Sequence, residues 1–240
     1  MSTEQTSGSR KGRPWSTDIP WLFLPAILLG ALAAVATALL LLSRFGRGLP
    51  GLLQQALVQT ALVTTVLLLF TIVPPWGKLS GKLGLRRLRA GDVCIVFLGL
   101  ILIYAWQIFS LPLWERILNR LGGKFPMRQE LLNECSRSTP MQFVFMLALA
   151  GVLIPFIEEV VFRRLIYGTL RPLGVAAAVI LTALIFAAAH GFLYGLPALF
   201  GLGVIFELQY LFTGNLMTST LTHMIYNLIS LTMTFLMGRL

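Results

Sequence analysis

Charge is the scarce ingredient of this chain, and acidic charge is scarcer than basic. Charged residues fill 12% of 240 positions, with nine acids against nineteen bases. A soluble domain carries about twice that fraction, so these residues do not assemble an ordinary water-exposed surface. Cysteine is nearly absent, and Cys94 and Cys135 form no CxxC or other metal spacing. Two cysteines alone give no disulfide framework, and Cys94 reads as a small buried hydrophobe. Histidine is equally rare: His190 and His223 are the only two, and no HExxH zinc helix exists. No serine sits in a nucleophile-elbow pattern, and no internal repeat is evident.

Hydrocarbon is what abounds. The chain is 57% hydrophobic with a mean hydropathy of +0.83. Residues 22–42, 52–73 and 93–114 contain no charge, and each is long enough to cross about 30 Å of bilayer hydrocarbon as a helix. Lipid admits only helices or closed barrels, and these runs do not alternate as barrel strands would. The sequence therefore predicts an all-α fold, a polytopic transmembrane helical bundle of seven spans, or eight if 115–135 re-enters. Its organisation divides into a basic, Ser/Gly-rich disordered tail at 1–20, spans and loops over 21–135, and a helical core over 136–240.

Basic residues orient the spans. Ala31-Leu32-Ala33 resembles a signal-peptide cleavage site, but the length of the 22–42 run and the flanking Arg44 and Arg47 favour a retained anchor. Pro74-Pro75-Trp76 stops the second run at the interface. Lys78, Lys82, Arg86, Arg87 and Arg89 precede the next acid, Asp92, and predict a cytoplasmic loop. Residues 115–140 carry mixed charge, predict short amphipathic helices around Gly122-Gly123, and should face outward. A fourth span is expected near 141–160, with Arg163, Arg164 and Arg171 as its cytoplasmic flank. Gly191, Gly195 and Pro197 separate a fifth span near 174–190 from a sixth near 197–212. Thr213-Gly214-Asn215 is a turn before a seventh span from Leu216 to Met237. The net charge of +10 lies in short loops beside spans, which points to topology and anionic lipid, not to nucleic acid.

The stretch IPFIEEVVFRRLIYG, residues 154–168, brings opposite charges into an apolar run. Ionisable groups near hydrocarbon are costly and usually face a bundle interior or a wet cavity. On a helix Glu159 and Arg163 share a face and can pair, whereas Glu158 points about 100° away. One carboxylate is thus neutralised while its neighbour stays available for proton chemistry. His223 and Asn227 are likewise four apart on one face of the last helix. A lone intramembrane histidine more often bonds a neighbouring helix. Two carboxylates, an arginine, two histidines and an asparagine on three helices relieve their cost together by meeting in one cavity. Glu207, the other acid in an apolar stretch, reads as an interfacial or helix-pairing residue. Thr218, Ser219, Thr220 and Thr222 are expected to satisfy backbone carbonyls or pack between helices.

Glu158 to Arg163 matches EExxxR, Phe186 to His190 matches FxxxH, and His223 to Asn227 matches HxxxN. In this order the three motifs resemble the signature of the CPBP family, the CAAX-protease and bacteriocin-processing intramembrane peptidases, over about residues 140–237. The resemblance implies a glutamate-dependent intramembrane endopeptidase, an integral protein of a bacterial plasma membrane, acting on membrane peptides or lipidated proteins. Carried over by position, Glu158 is the general base on a water also held by His190. His223 and Asn227 stabilise the oxyanion, and Glu159, Arg163 and Phe186 support the site. No cofactor is expected; the disfavoured alternative is a zinc on Glu158, His190 and His223. Two non-peptidase readings stand beside this one: a bacteriocin self-immunity or partner-stabilising membrane protein, and a transporter using the acids as a proton relay. The intact Glu158 and histidines argue against the first, and the absence of inverted-repeat signals against the second.

The orientation is directly testable. In a cysteine-free background, an impermeant thiol reagent added outside should label Lys124→Cys and miss Lys82→Cys. The reverse pattern inverts the topology.

Overall fold

The computed structural model describes Leu40, residues 84–122 and residues 129–240. The tail at 1–20, the runs at 22–42 and 52–73 apart from helical Leu40, and residues 43–51 and 74–83 lie outside the described residues. Among the described residues every regular element is helical. The elements are α1 (Ala90–Arg120), α2 (Glu130–Arg137), α3 (Pro140–Leu173), α4 (Val175–Ala189), α5 (Leu196–Thr213) and α6 (Leu216–Met237). Three of them, α1, α3 and α5, are long and apolar enough to cross a membrane. Large apolar side chains such as Phe97, Ile101, Ile108, Phe109 and Phe212 are exposed. Water does not tolerate a surface of this kind, and lipid requires it. The chain is an integral membrane protein.

Local sequence sets the helix ends. Asp92 closes the first turn of α1: its Oδ2 accepts from the Arg89 backbone N–H at 2.9 Å and from Arg86 Nη1 at 2.7 Å. Thr139 caps α3, accepting from the Gln142 N–H at 3.3 Å while the Gln142 side chain accepts from the Thr139 N–H at 2.8 Å. Gly214 ends α5 in the left-handed region at φ 61°, where a Cβ is strained. Asn215 then caps α6 by accepting from the Met217 N–H at 3.2 Å. The turn was legible in the sequence.

Helix α3 departs from expectation. It was expected to end near 160, with Arg163 and Arg164 in a cytoplasmic flank. It continues to Leu173, and both arginines are buried inside the bundle. The reason is that each has a partner on α5, so neither needs water. Within α3, π-helical segments Leu147–Leu153 and Val160–Ile166 bracket the α-helical piece Ile154–Glu159 that carries the glutamate pair. Such widened turns recur at functional sites. The first part of the 115–140 connection also differs, because Glu115 to Arg120 extend α1; α2 supplies its second short helix.

The helices pack around α6, which contacts α1, α2, α3 and α5. Gln209 ties three of them: its Nε2 donates to Ile95 O of α1 at 2.7 Å and to Thr222 Oγ1 of α6 at 2.9 Å. Thr220 and Thr222 return their hydroxyls to the carbonyls of Leu216 and Thr218, as expected of hydroxyls in an apolar helix. Arg164 Nη1 donates to Tyr210 Oη at 2.7 Å, and Tyr210 lies beside Gly84. The basic 84–91 segment and the C-terminal half of α3 therefore share one end of the bundle. Cys135 is buried, with Sγ–H donating to Leu231 O at 3.4 Å, and burial pushes its thiol up. Cys94 contradicts its expectation and is exposed, because the packed stripe of α1 runs through Asp92, Val96, Gly99, Leu100 and Ile103.

Helices α4 and α5 cross closely at Gly203, where an added Cβ would lie 2.9 Å from the Ala183 Cα. Backbone cannot yield as a flexible side chain does. Gly203→Ala should cost about 1–3 kcal/mol and lower the thermal unfolding midpoint. A midpoint equal to wild type would show that the crossing has slack.

Candidate active site

The acid pair on α3 is split by the helix as its geometry requires. Glu159 turns inward and is fully buried, and its Oε2 accepts from Arg163 Nε at 2.9 Å while Oε1 accepts from Arg163 Nη2 at 3.3 Å. Glu158 turns toward a more open side, its side chain 24% exposed, with its Oε2 3.7 Å from His223 Nε2. That separation is longer than a direct hydrogen bond. Glu158 makes no contact with Arg163 of the kind its neighbour makes.

Arg163 serves a second carboxylate. Its Nη1 donates to Glu207 Oε2 at 2.9 Å and to the Gly203 carbonyl at 3.3 Å. Side chains of Glu159, Arg163 and Glu207 are all fully buried. The sequence reading had Glu207 as interfacial or helix-pairing; its burial removes the first option, and the contact pairs α5 with α3. The available signal was its isolation: α5 contains no base, so an acid there requires a partner on another helix. The Phe186 ring of α4 and the Phe206 ring of α5 lie 5.8 and 5.7 Å from the guanidinium carbon. Both distances are within cation–π range.

His223 connects the two glutamates. Its Nδ1 is 3.2 Å from Glu159 Oε1, on the opposite side of the ring from Glu158. A carboxylate only accepts, so Nδ1 carries the proton and Nε2 is the nitrogen presented toward Glu158. The ring stacks on Phe206 at 4.6 Å between centroids and 23° between planes, with Phe186 edge-on at 5.9 Å. Phe206 was not singled out from sequence, since one aromatic in an apolar helix carries no distinguishing signal.

His190 closes α4. Its Nδ1 is 2.8 Å from the Phe186 carbonyl, which can only accept, so Nδ1 is the donor and Nε2 is left as an acceptor. The Phe186 ring lies 4.6 Å from the His190 ring and so contacts both histidines. Asn227 projects from the same face of α6 as His223 and donates Nδ2 to the Ala150 carbonyl at 2.9 Å, in the first π-helical segment of α3. One amide N–H is engaged there and one remains. Among the described residues no three of the His, Cys, Asp and Glu side chains gather closely enough to hold a metal ion.

Residues 140–229 match the family model described as Rce1-like, the type II CAAX prenyl endopeptidase Rce1-like family. The chain is also 34% identical over 113 residues to the membrane-embedded CAAX protease MroQ of Staphylococcus aureus, covering 44% of each chain. It thus spans under half the length of that relative. No solved structure matches. The motif resemblance is upheld: residues 140–229, from the start of α3 into α6, are similar to the CAAX-protease family.

Removing Arg163 tests the cluster. Arg163→Leu leaves two buried carboxylates without their cation, a change worth about 3–5 kcal/mol. Folded yield from membranes should collapse. Arg163→Lys keeps the charge but not the planar fork, and should fold with a lowered unfolding midpoint. Wild-type yield and midpoint in Arg163→Leu would show that the triad is dispensable.

Proposed function

We propose that this chain, built around its segment similar to the CAAX-protease family, is an intramembrane endopeptidase of seven spans in a bacterial plasma membrane. It would hydrolyse peptide bonds of membrane-associated or lipidated peptides with a glutamate-activated water. The observation that carries this reading is the division of the acid pair: Glu159 is locked to Arg163, and Glu158 is partly open beside His223. The count of seven adds to α1, α3, α4, α5 and α6 the charge-free runs at 22–42 and 52–73, each long enough in sequence to cross hydrocarbon.

The roles follow from proton inventory. Glu158 accepts a proton from water as the water oxygen attacks the peptide carbonyl. His190 Nε2, free to accept because Nδ1–H is committed to Phe186 O, holds that water's second proton. As the C–O bond forms, the carbonyl oxygen becomes an oxyanion and needs donors aimed at it. The remaining N–H of Asn227 supplies one. His223 supplies the other from Nε2, which requires protons on both ring nitrogens because Nδ1–H is already committed to Glu159. Collapse breaks the C–N bond, and Glu158 returns its proton to the leaving amine. Glu159, Arg163 and Phe186 support the site without touching the reacting atoms.

Glu158→Gln keeps the shape and removes the base. Activity should fall by about a thousandfold or more, within the range general-base loss produces. Folded yield should stay near wild type, because the Glu158 side chain is partly exposed and its carboxylate is 3.7 Å from His223 Nε2, beyond direct hydrogen-bond reach. Purified variants would be compared by single-turnover cleavage of a membrane-peptide reporter and by thermal unfolding. Full activity in Glu158→Gln would rule out the general-base role.

A further inference from the structure

Helix α5 lies outside the three motifs, yet two of its adjacent residues hold the histidine of the last motif. Phe206 and Glu207 are both fully buried and, being consecutive, point about 100° apart. Phe206 stacks on the His223 ring. Glu207 reaches Arg163 Nη1, whose Nε and Nη2 hold Glu159, whose Oε1 in turn holds His223 Nδ1. Among the described residues Glu207 Oε1 has no hydrogen-bond partner, so the hydrogen bonding of this carboxyl is directed at the guanidinium. The Glu159–Arg163 pair is already balanced in charge, so Glu207 is not needed to neutralise the arginine. What it adds is position: with the longer contact to the Gly203 carbonyl, it anchors Nη1 and prevents the planar guanidinium from rotating about its contact with Glu159.

We propose that Glu207 is a positioning residue for His223, acting through Arg163 and Glu159 to fix which ring nitrogen faces Glu158 and in which plane. The inference rests on the hydrolase reading for its effect on rate, but the arrangement itself is measurable without turnover. A shift of about 1 Å in a site of this kind lowers rate up to about a hundredfold while leaving substrate binding largely intact.

The protein has two histidines, which makes the test clean. Histidine-labelled full-length protein in micelles gives two imidazole signals, assigned by the loss of one in His190→Gln. In Glu207→Leu the His223 signal should shift while that of His190 stays in place. Under single-turnover conditions kcat should fall about tenfold to a hundredfold, with KM within about twofold. Glu207→Gln keeps an oxygen at the same reach, and should recover the signal and most of the rate. If Glu207→Leu yields too little protein, Glu207→Asp withdraws the carboxylate by one methylene and should shift the same single signal. Unchanged histidine signals would overturn the proposal. So would both signals shifting together, which marks a general packing role, or a shifted His223 with wild-type kcat. If the wild-type protein cleaves no membrane peptide, the hydrolase reading falls, and the imidazole signals still decide whether Glu207 positions His223.

Discussion

The structure depends on one buried cation. Arg163 lies where water cannot reach, and a guanidinium there is tolerable only with its donors occupied. Glu159 comes from its own helix, Glu207 and the Gly203 carbonyl from α5, and the Phe186 and Phe206 rings from α4 and α5. Through Glu159 the contact extends to His223 on α6. Four helices are therefore registered on a single side chain. A buried ion cluster is weak evidence for stability, since an apolar cluster of equal volume often serves as well. Its strength is intolerance: an apolar contact slides by an ångström at little cost, whereas an unpaired charge in this place does not.

That same cation explains what the sequence conveyed and what it concealed. Helices α4, α5 and α6 are found within about two residues of their expected limits, because Gly191, Pro197, Gly214 and Asn215 act locally on the backbone. The Glu159–Arg163 contact was legible for the same reason, being a neighbour relation on one helix. The length of α3 was not. Along a one-dimensional sequence, two consecutive arginines after an apolar run look like the cytoplasmic end of a span. Only partners remote in sequence, Glu207 for Arg163 and Tyr210 for Arg164, turn an end signal into an internal one. Cys94 was misread in the converse way: in a membrane helix an apolar residue on the outside is as much at home as one inside, so composition alone does not choose its face.

The site itself divides by hydration. Glu158, His190 and Asn227 are partly exposed, while Glu159, Arg163 and Glu207 are sealed. The open set comprises the groups whose proposed chemistry involves water or a developing oxyanion. The sealed set comprises groups that touch only one another and the protein. His223 is the residue common to both, with Nδ1 toward the dry carboxylate and Nε2 toward the wet one. This boundary position follows from the chain's most local feature, two successive glutamates on a helix. Because consecutive residues diverge by about 100°, one faces the cluster and the other the more open side. A histidine on the facing helix can then meet both only by presenting one nitrogen to each. The adjacency of Glu158 and Glu159 thus accounts for the orientation of His223, and it makes the two acids non-interchangeable although they are chemically identical.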